Sequence, residues 1–99
     1  MRVLKDLFQK SSTIWFFCEN EDLQVEFLNQ AETEGFRTMD NQHPTSLFHH
    51  KLYGINDNMT MGYLSAMIWN LTLKNDNDTH IRVDYGKYIS DEEDYFYHS

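Results

Sequence analysis

The side chains that could do chemistry are few, and their setting argues against it. Cys18 is the only cysteine, and a thiol acts as a nucleophile or metal ligand only when ionised. It follows Ile14-Trp15-Phe16-Phe17, the most apolar run of the chain. Burial in such surroundings raises a thiol pKa, so Cys18 reads as a structural residue. Five histidines are present. His43, His49 and His50 share one segment, but their spacing matches no common zinc pattern and no cysteine joins them. They read as part of a solvated polar loop, and His80 reads as a surface residue. The glycines at 35, 54, 62 and 86 stand alone, so no glycine-rich loop can cradle a phosphate. Asp and Glu number 16, too many for any carboxylate pair to mark an acid–base site. No catalytic residue, metal or cofactor is expected, and the chain reads as a non-enzyme.

What the residue types do offer is negative charge. Eight Lys and Arg face 16 Asp and Glu, for a net charge of −8. Such a chain is repelled by nucleic acid and anionic membranes and drawn to basic surfaces. Two regions concentrate the excess. Glu19 to Glu34 holds six acids and no base, and Asp91-Glu92-Glu93-Asp94 forms a second run near the C-terminus. Most charge runs are simply a solvated face or a solubilising tail. The functional alternative is a surface that offers carboxylates to a basic groove, where complementary charge speeds encounter and sets specificity. The candidate partner-binding residues are then Glu21, Asp22, Glu26, Asp91, Glu92, Glu93, Asp94 and Tyr95. Tyr95 enters because Tyr85, Tyr88, Tyr95, Phe96 and Tyr97 are interleaved with the second run, and aromatic residues are frequent interface anchors.

The elements that would carry these residues follow from spacing. Val3, Leu4, Leu7 and Phe8 predict a short N-terminal helix over 3–9. Ile14 to Cys18, apolar on both faces, predicts a central covered strand. Asn20 is a good helix N-cap, Glu21 and Asp22 suit the positive helix end, and Leu23, Phe27, Leu28 and Ala31 share a stripe. With Gly35 as a left-handed stop, the pattern predicts a helix over 21–34. A strand at 36–39 and a loop at 40–51 around Pro44 follow. Leu52–Ile55 and Met59–Leu64 predict a hairpin across Asn56-Asp57-Asn58. Residues 66–73 fit either period, and their Ile, Trp and Thr content favours a strand. A turn at 75–78 and a strand at 80–85 ending at Gly86 complete the series. The expected fold is α+β: an antiparallel sheet with one main helix on one face and a short N-terminal helix.

A chain of 99 residues fits one domain, here 1–99 with an acidic-aromatic C-terminal segment at 90–99. A lone cysteine, an N-terminus without an apolar signal-like core and no long apolar run predict a soluble cytoplasmic protein. The Asn-x-Thr triplets at Asn58, Asn70 and Asn77 would be glycosylated only after secretion and read as chance. Oligomeric state is not set by these features.

The opening Leu4-Lys5-Asp6-Leu7-Phe8, the stretch from Phe27-Leu28 through Ala31-Glu32 to Glu34-Gly35-Phe36-Arg37, Pro44-Thr45, and Ile81-Arg82-Val83-Asp84-Tyr85 with Lys87-Tyr88-Ile89 carry a resemblance. In them the chain resembles small accessory proteins of phages and prophages of Gram-positive bacteria. The resemblance implies a phage accessory role, and many such proteins inhibit host defence, anti-CRISPR proteins among them. It implies as partner a basic protein surface such as that of a CRISPR effector nuclease, which holds nucleic acid in a positive channel. A second reading is a small-ligand protein for a nucleotide signal, which would need Arg37, Lys51 and Arg82 to converge, with His49 or His50. A third is a phage structural component.

Overall fold

A computed structural model of the chain describes residues 2–73 and 81–97. The strands are β1 (Thr13–Phe17), β2 (Arg37–Thr38), β3 (Leu52–Asn56), β4 (Thr60–Tyr63) and β5 (Ile81–Asp84). They form one sheet in the order β2-β4-β3-β1-β5. The helices are α1 (Glu21–Glu34), α2 (Ala66–Leu73) and α3 (Tyr85–Ile89), with 3-10 turns at Leu4–Gln9 and Pro44–Ser46. The turn expected at 75–78, the position of His80 and the residues Asn77 and His98 lie outside the described residues.

Helix α1 forms for the reasons its sequence announces. The Asn20 side chain accepts a hydrogen bond from the Leu23 amide at 2.9 Å, satisfying an otherwise orphaned donor. Gly35 adopts φ 100°, and the Gly35 and Phe36 amides donate to the Glu32 and Ala31 carbonyls. A residue with a Cβ would be strained there. The buried stripe of α1 brings Phe27 to 5.0 Å from Phe16 of β1, 4.9 Å from Tyr53 of β3 and 5.3 Å from Tyr85 of α3, centroid to centroid. Ile14, Phe16, Cys18, Ile55, Met61 and Val83 belong to the same core, with Leu4, Leu7 and Phe36.

The sheet is mixed, not antiparallel as expected. β3 pairs antiparallel with β1 and with β4, the latter as the expected hairpin. β5 runs parallel to β1, and β2 parallel to β4. Short connections enforce antiparallel pairing only between strands adjacent in sequence. β1 and β5 are neighbours in the sheet yet residues 18–80 lie between them, so that rule does not reach them.

Residues 66–73 are a helix, not the expected strand. The Ser65 hydroxyl accepts from the Ile68 amide at 3.1 Å, and the Trp69 amide closes the first turn onto the Ser65 carbonyl. This is an N-cap, and it outweighs the modest β-propensity of Ile, Trp and Thr. Because the faces of β1 alternate, Trp15 points away from α1. Trp69 of α2 stacks on it at 6.1 Å, with Leu52 beside them. Helices therefore lie on both faces of the sheet, as the covering expected for β1 requires, where a helix on one face alone was expected. Gly54 lies opposite Trp15 in the register, and a Cβ there would meet the indole at 3.2 Å. The strand expected to run through Tyr85 stops at Asp84, whose side chain caps α3 by accepting from the Lys87 amide.

Strand and helix readings of 66–73 separate on one pair of substitutions. A strand would put Met67 and Trp69 on the same face, whereas Met67 is 72% exposed and Trp69 only 4%. Trp69→Ala is expected to lower unfolding free energy by about 3–5 kcal/mol, and Met67→Ser by less than about 0.5 kcal/mol. Urea denaturation of both variants checks this.

Candidate functional site

The carboxylates singled out by sequence do not all remain free for a partner. On α1, Glu21 turns toward the 40–51 loop, where its Oε1 lies 3.1 Å from His49 Nδ1. Glu32 also faces this loop. It accepts from the Thr45 hydroxyl at 2.6 Å and the Thr45 amide at 3.2 Å, with His43 at 3.7 Å. These bonds hold the Glu32 carboxyl below its ordinary pKa, the Thr45 hydroxyl contributing most. Glu34 points the other way. Its two oxygens accept from the Leu4 and Lys5 amides at 2.7 and 3.0 Å, tying the N-terminal 3-10 turn to the end of α1.

Asp22 and Glu26 are exposed and make no ion pair among the described residues. They are four residues apart, hence on one edge of α1, where like charges repel. The location of that edge follows from its neighbours. Leu23 packs on Gly86 and Gln30 accepts from the Tyr85 hydroxyl at 2.6 Å. Glu26 falls between Leu23 and Gln30 by helical spacing, so it borders α3. Burial raises the Tyr85 phenol well above its usual pKa, and the Glu26 charge adds to the effect.

Arg2 organises the acidic C-terminal run. Its Nε lies 3.1 Å from Asp91 Oδ1, and its guanidinium donates to the Tyr88 and Glu92 carbonyls. The same group lies 5.3 Å from the Tyr88 ring centroid and 5.0 Å from that of Tyr95. Tyr95 also meets Tyr88 edge-on at 5.0 Å, so this candidate anchor already packs within the chain. The Tyr88 hydroxyl donates to the Val3 carbonyl at 2.5 Å, and burial pushes its pKa up to about 12. The Arg2 carbonyl in turn accepts from Gln30 of α1 at 2.9 Å. The start of the acidic run is thereby held beside α3 and the second half of α1. Glu92 and Glu93 are exposed, with no ion pair among the described residues. Asp94 is exposed too, and its side chain accepts from the Phe96 amide. Sequence placed these residues together as types; the bridge through Arg2 was not visible, because nothing in a lone basic residue names its partner 89 positions away.

The remaining candidates separate. Cys18 is buried, and burial, reinforced by the Asp84 charge, drives its thiol pKa upward. His43, His49 and His50 face Glu32, Glu21 and the Leu64 carbonyl respectively. No group of three or more metal-capable side chains occurs among the described residues. Arg37 in β2 and Arg82 in β5 occupy opposite edges of the sheet, so the convergence of Arg37, Lys51 and Arg82 that the nucleotide-signal reading would need does not occur. No described helix is long and apolar enough to cross a membrane. Comparison with protein-family models, with curated proteins and with solved structures finds no match.

Acid should release the 40–51 loop from α1 first. A carboxyl whose folded pKa is depressed stabilises above its unfolded value and loses that contribution as pH falls through the folded pKa. The protection of the Thr45 amide against hydrogen exchange is expected to be full at neutral pH and to fall below the ordinary Glu pKa of 4.5. Glu32→Gln is expected to reduce it at neutral pH and to remove its dependence on acid.

Proposed function

We propose that the chain is a binding protein that presents the α1–α3 flank to a basic protein surface, as an inhibitor of a bacterial defence protein. The observation that carries the reading is the set Asp22, Glu26, Glu92 and Glu93: exposed, acidic, and without an ion pair among the described residues. Two of them sit at a spacing that costs α1 helix stability. Beside them Tyr88 of α3 and Tyr95 of the C-terminal segment lie against Arg2, which gives the flank a rigid base. Rigid charges need less ordering on association, so more of the Coulomb attraction survives as affinity.

The partner that fits this chemistry is a cationic cleft that otherwise holds nucleic acid, such as the channel of a CRISPR effector nuclease. The resemblance to phage accessory proteins points to the same class. Within the flank, Asp22 and Glu26 would meet the cleft together with Glu92 and Glu93. Asp91 would contribute through its hold on Arg2, and Glu21 less, because it is engaged by His49.

The test is competition. The full chain is expected to bind a nucleic-acid-free effector and to be excluded once the channel is loaded with guide and target. Asp22→Lys with Glu26→Lys is expected to weaken binding at least about tenfold at physiological salt, and more at low salt. Surface plasmon resonance across a salt series reads both effects. Binding that ignores both charge reversal and salt would retire the electrostatic reading.

A further inference from the structure

The face of the sheet opposite α1 holds a pocket with a different character from the rest of the molecule. It has a volume of about 370 Å³ and lies where α2 meets the ends of β1 and β3. That volume falls in the range of about 300–1,000 Å³ typical of small-molecule sites. Three aromatic rings line it: Phe17 of β1, Trp69 of α2 and Tyr97 of the C-terminal segment. Tyr97 lies 5.2 Å from both Phe17 and Trp69. Its position is set by the backbone, because the Tyr97 amide donates to the Arg82 carbonyl at 3.0 Å and Phe96 bridges to Val83. The polar lining is His50, Lys51 and Asn70.

The charge of this lining is what identifies a ligand. Carboxylates outnumber basic residues two to one in the chain, yet the described residues that line this pocket include Lys51 and His50 and no Asp or Glu. The larger hollow, about 650 Å³ and lined by residues from Trp15 of β1 across to Thr38 of β2, has Asp40 in its lining and shows no such bias. Asp84, opposite Phe17 in the register, directs its carboxylate to the Lys87 amide instead. Aromatic walls in an acidic protein would ordinarily suggest a cage for an organic cation. Here Arg82 already lies 5.7 Å from the Trp69 centroid and 5.4 Å from that of Trp15. A second cation on the same indole pair would be repelled by the guanidinium. The rings therefore suit a planar, electron-rich ring, and the rim suits an anion.

We propose that this pocket binds a mononucleotide. The base stacks on the half-exposed ring of Tyr97, with Phe17 beside it and the buried Trp69 as the floor, a contact that is sequence-tolerant and favourable for any nucleobase. The Asn70 amide, a donor and an acceptor side by side, pairs with the base edge. The phosphate sits at Lys51, with His50 beside it. Long nucleic acids are disfavoured by the net charge, whereas a single phosphate needs only local compensation. The site is separate from the α1–α3 flank, and either assignment can fail without the other.

Isothermal titration of the full chain with AMP, GMP, CMP and UMP tests it. At least one is expected to bind saturably. The matching uncharged nucleoside and the Lys51→Gln variant are each expected to lose about tenfold in affinity, as removal of one charged phosphate contact predicts. Ala66→Phe, which fills the pocket from an exposed position on α2, is expected to abolish binding. If that variant does not fold, the nucleoside and Lys51→Gln comparisons decide alone. Absence of binding by all four nucleotides at millimolar concentration would overturn the assignment. So would equal affinity for nucleotide and nucleoside, or binding of tetramethylammonium in their place.

Discussion

Strand β1 must be covered on both faces, and the rest of the structure is arranged to meet that demand. Ile14, Phe16 and Cys18 project one way, Trp15 and Phe17 the other, and all but Phe17 are buried. Each large aromatic side chain removed from water is worth roughly 2–3 kcal/mol, so leaving either face exposed would forfeit much of the stability of so small a chain. α1 closes the first face through Phe27. α2 closes the second through Trp69, with Tyr97 drawn in behind it. The C-terminal segment is held along the outer edge of β5 by the Asp84 and Tyr97 amides, which also covers part of an otherwise open sheet edge.

Legibility in the sequence followed the range of the forces involved. α1 and the β3–β4 hairpin were readable because their determinants are local: Asn20 and Gly35 cap the helix, and a short polar turn joins the strands. The parallel pairing of β5 with β1 was not, because it is fixed by burial of Val83 against Phe16 and by no feature near either strand. Two periods fit the eight residues of α2, and Ser65 at the N-cap position decides between them in favour of the helix. α3 had the same kind of signal in Asp84. For the candidate site, sequence identified the acidic residues but not their assignments. Glu34 as a tether of the N-terminal turn, Glu32 as a loop anchor and Asp91 as the partner of Arg2 are all long-range facts. The aromatic pocket was invisible because its walls come from four separate parts of the chain.

The division of labour among the basic residues explains how a net charge becomes a surface property. The arginines are drawn inward. Arg2 holds the C-terminal run, Arg37 donates to the Phe36 carbonyl, and Arg82 lies on the two indoles. Arginine suits these places because its flat, weakly hydrated cation can stack and hydrogen-bond at once. The described lysines stay exposed, where their charges are mobile and strongly screened. The carboxylates on the outer edge of α1 thus meet solvent with little fixed compensation.

That asymmetry bears differently on the two faces of the sheet. A cationic partner approaching the α1–α3 flank feels the whole charge of the molecule, so association there is fast at low salt and slows as salt rises. An anion approaching the opposite face feels the same field with the reverse sign, and Lys51 in the pocket lining opposes it. At physiological salt the Debye length is about 8 Å, so exposed charges farther away than that count little beside it. Screening therefore weakens the attraction at one face while removing a repulsion at the other. One excess of carboxylates is thus compatible with both proposals, an acidic docking flank and an anion site across the sheet from it.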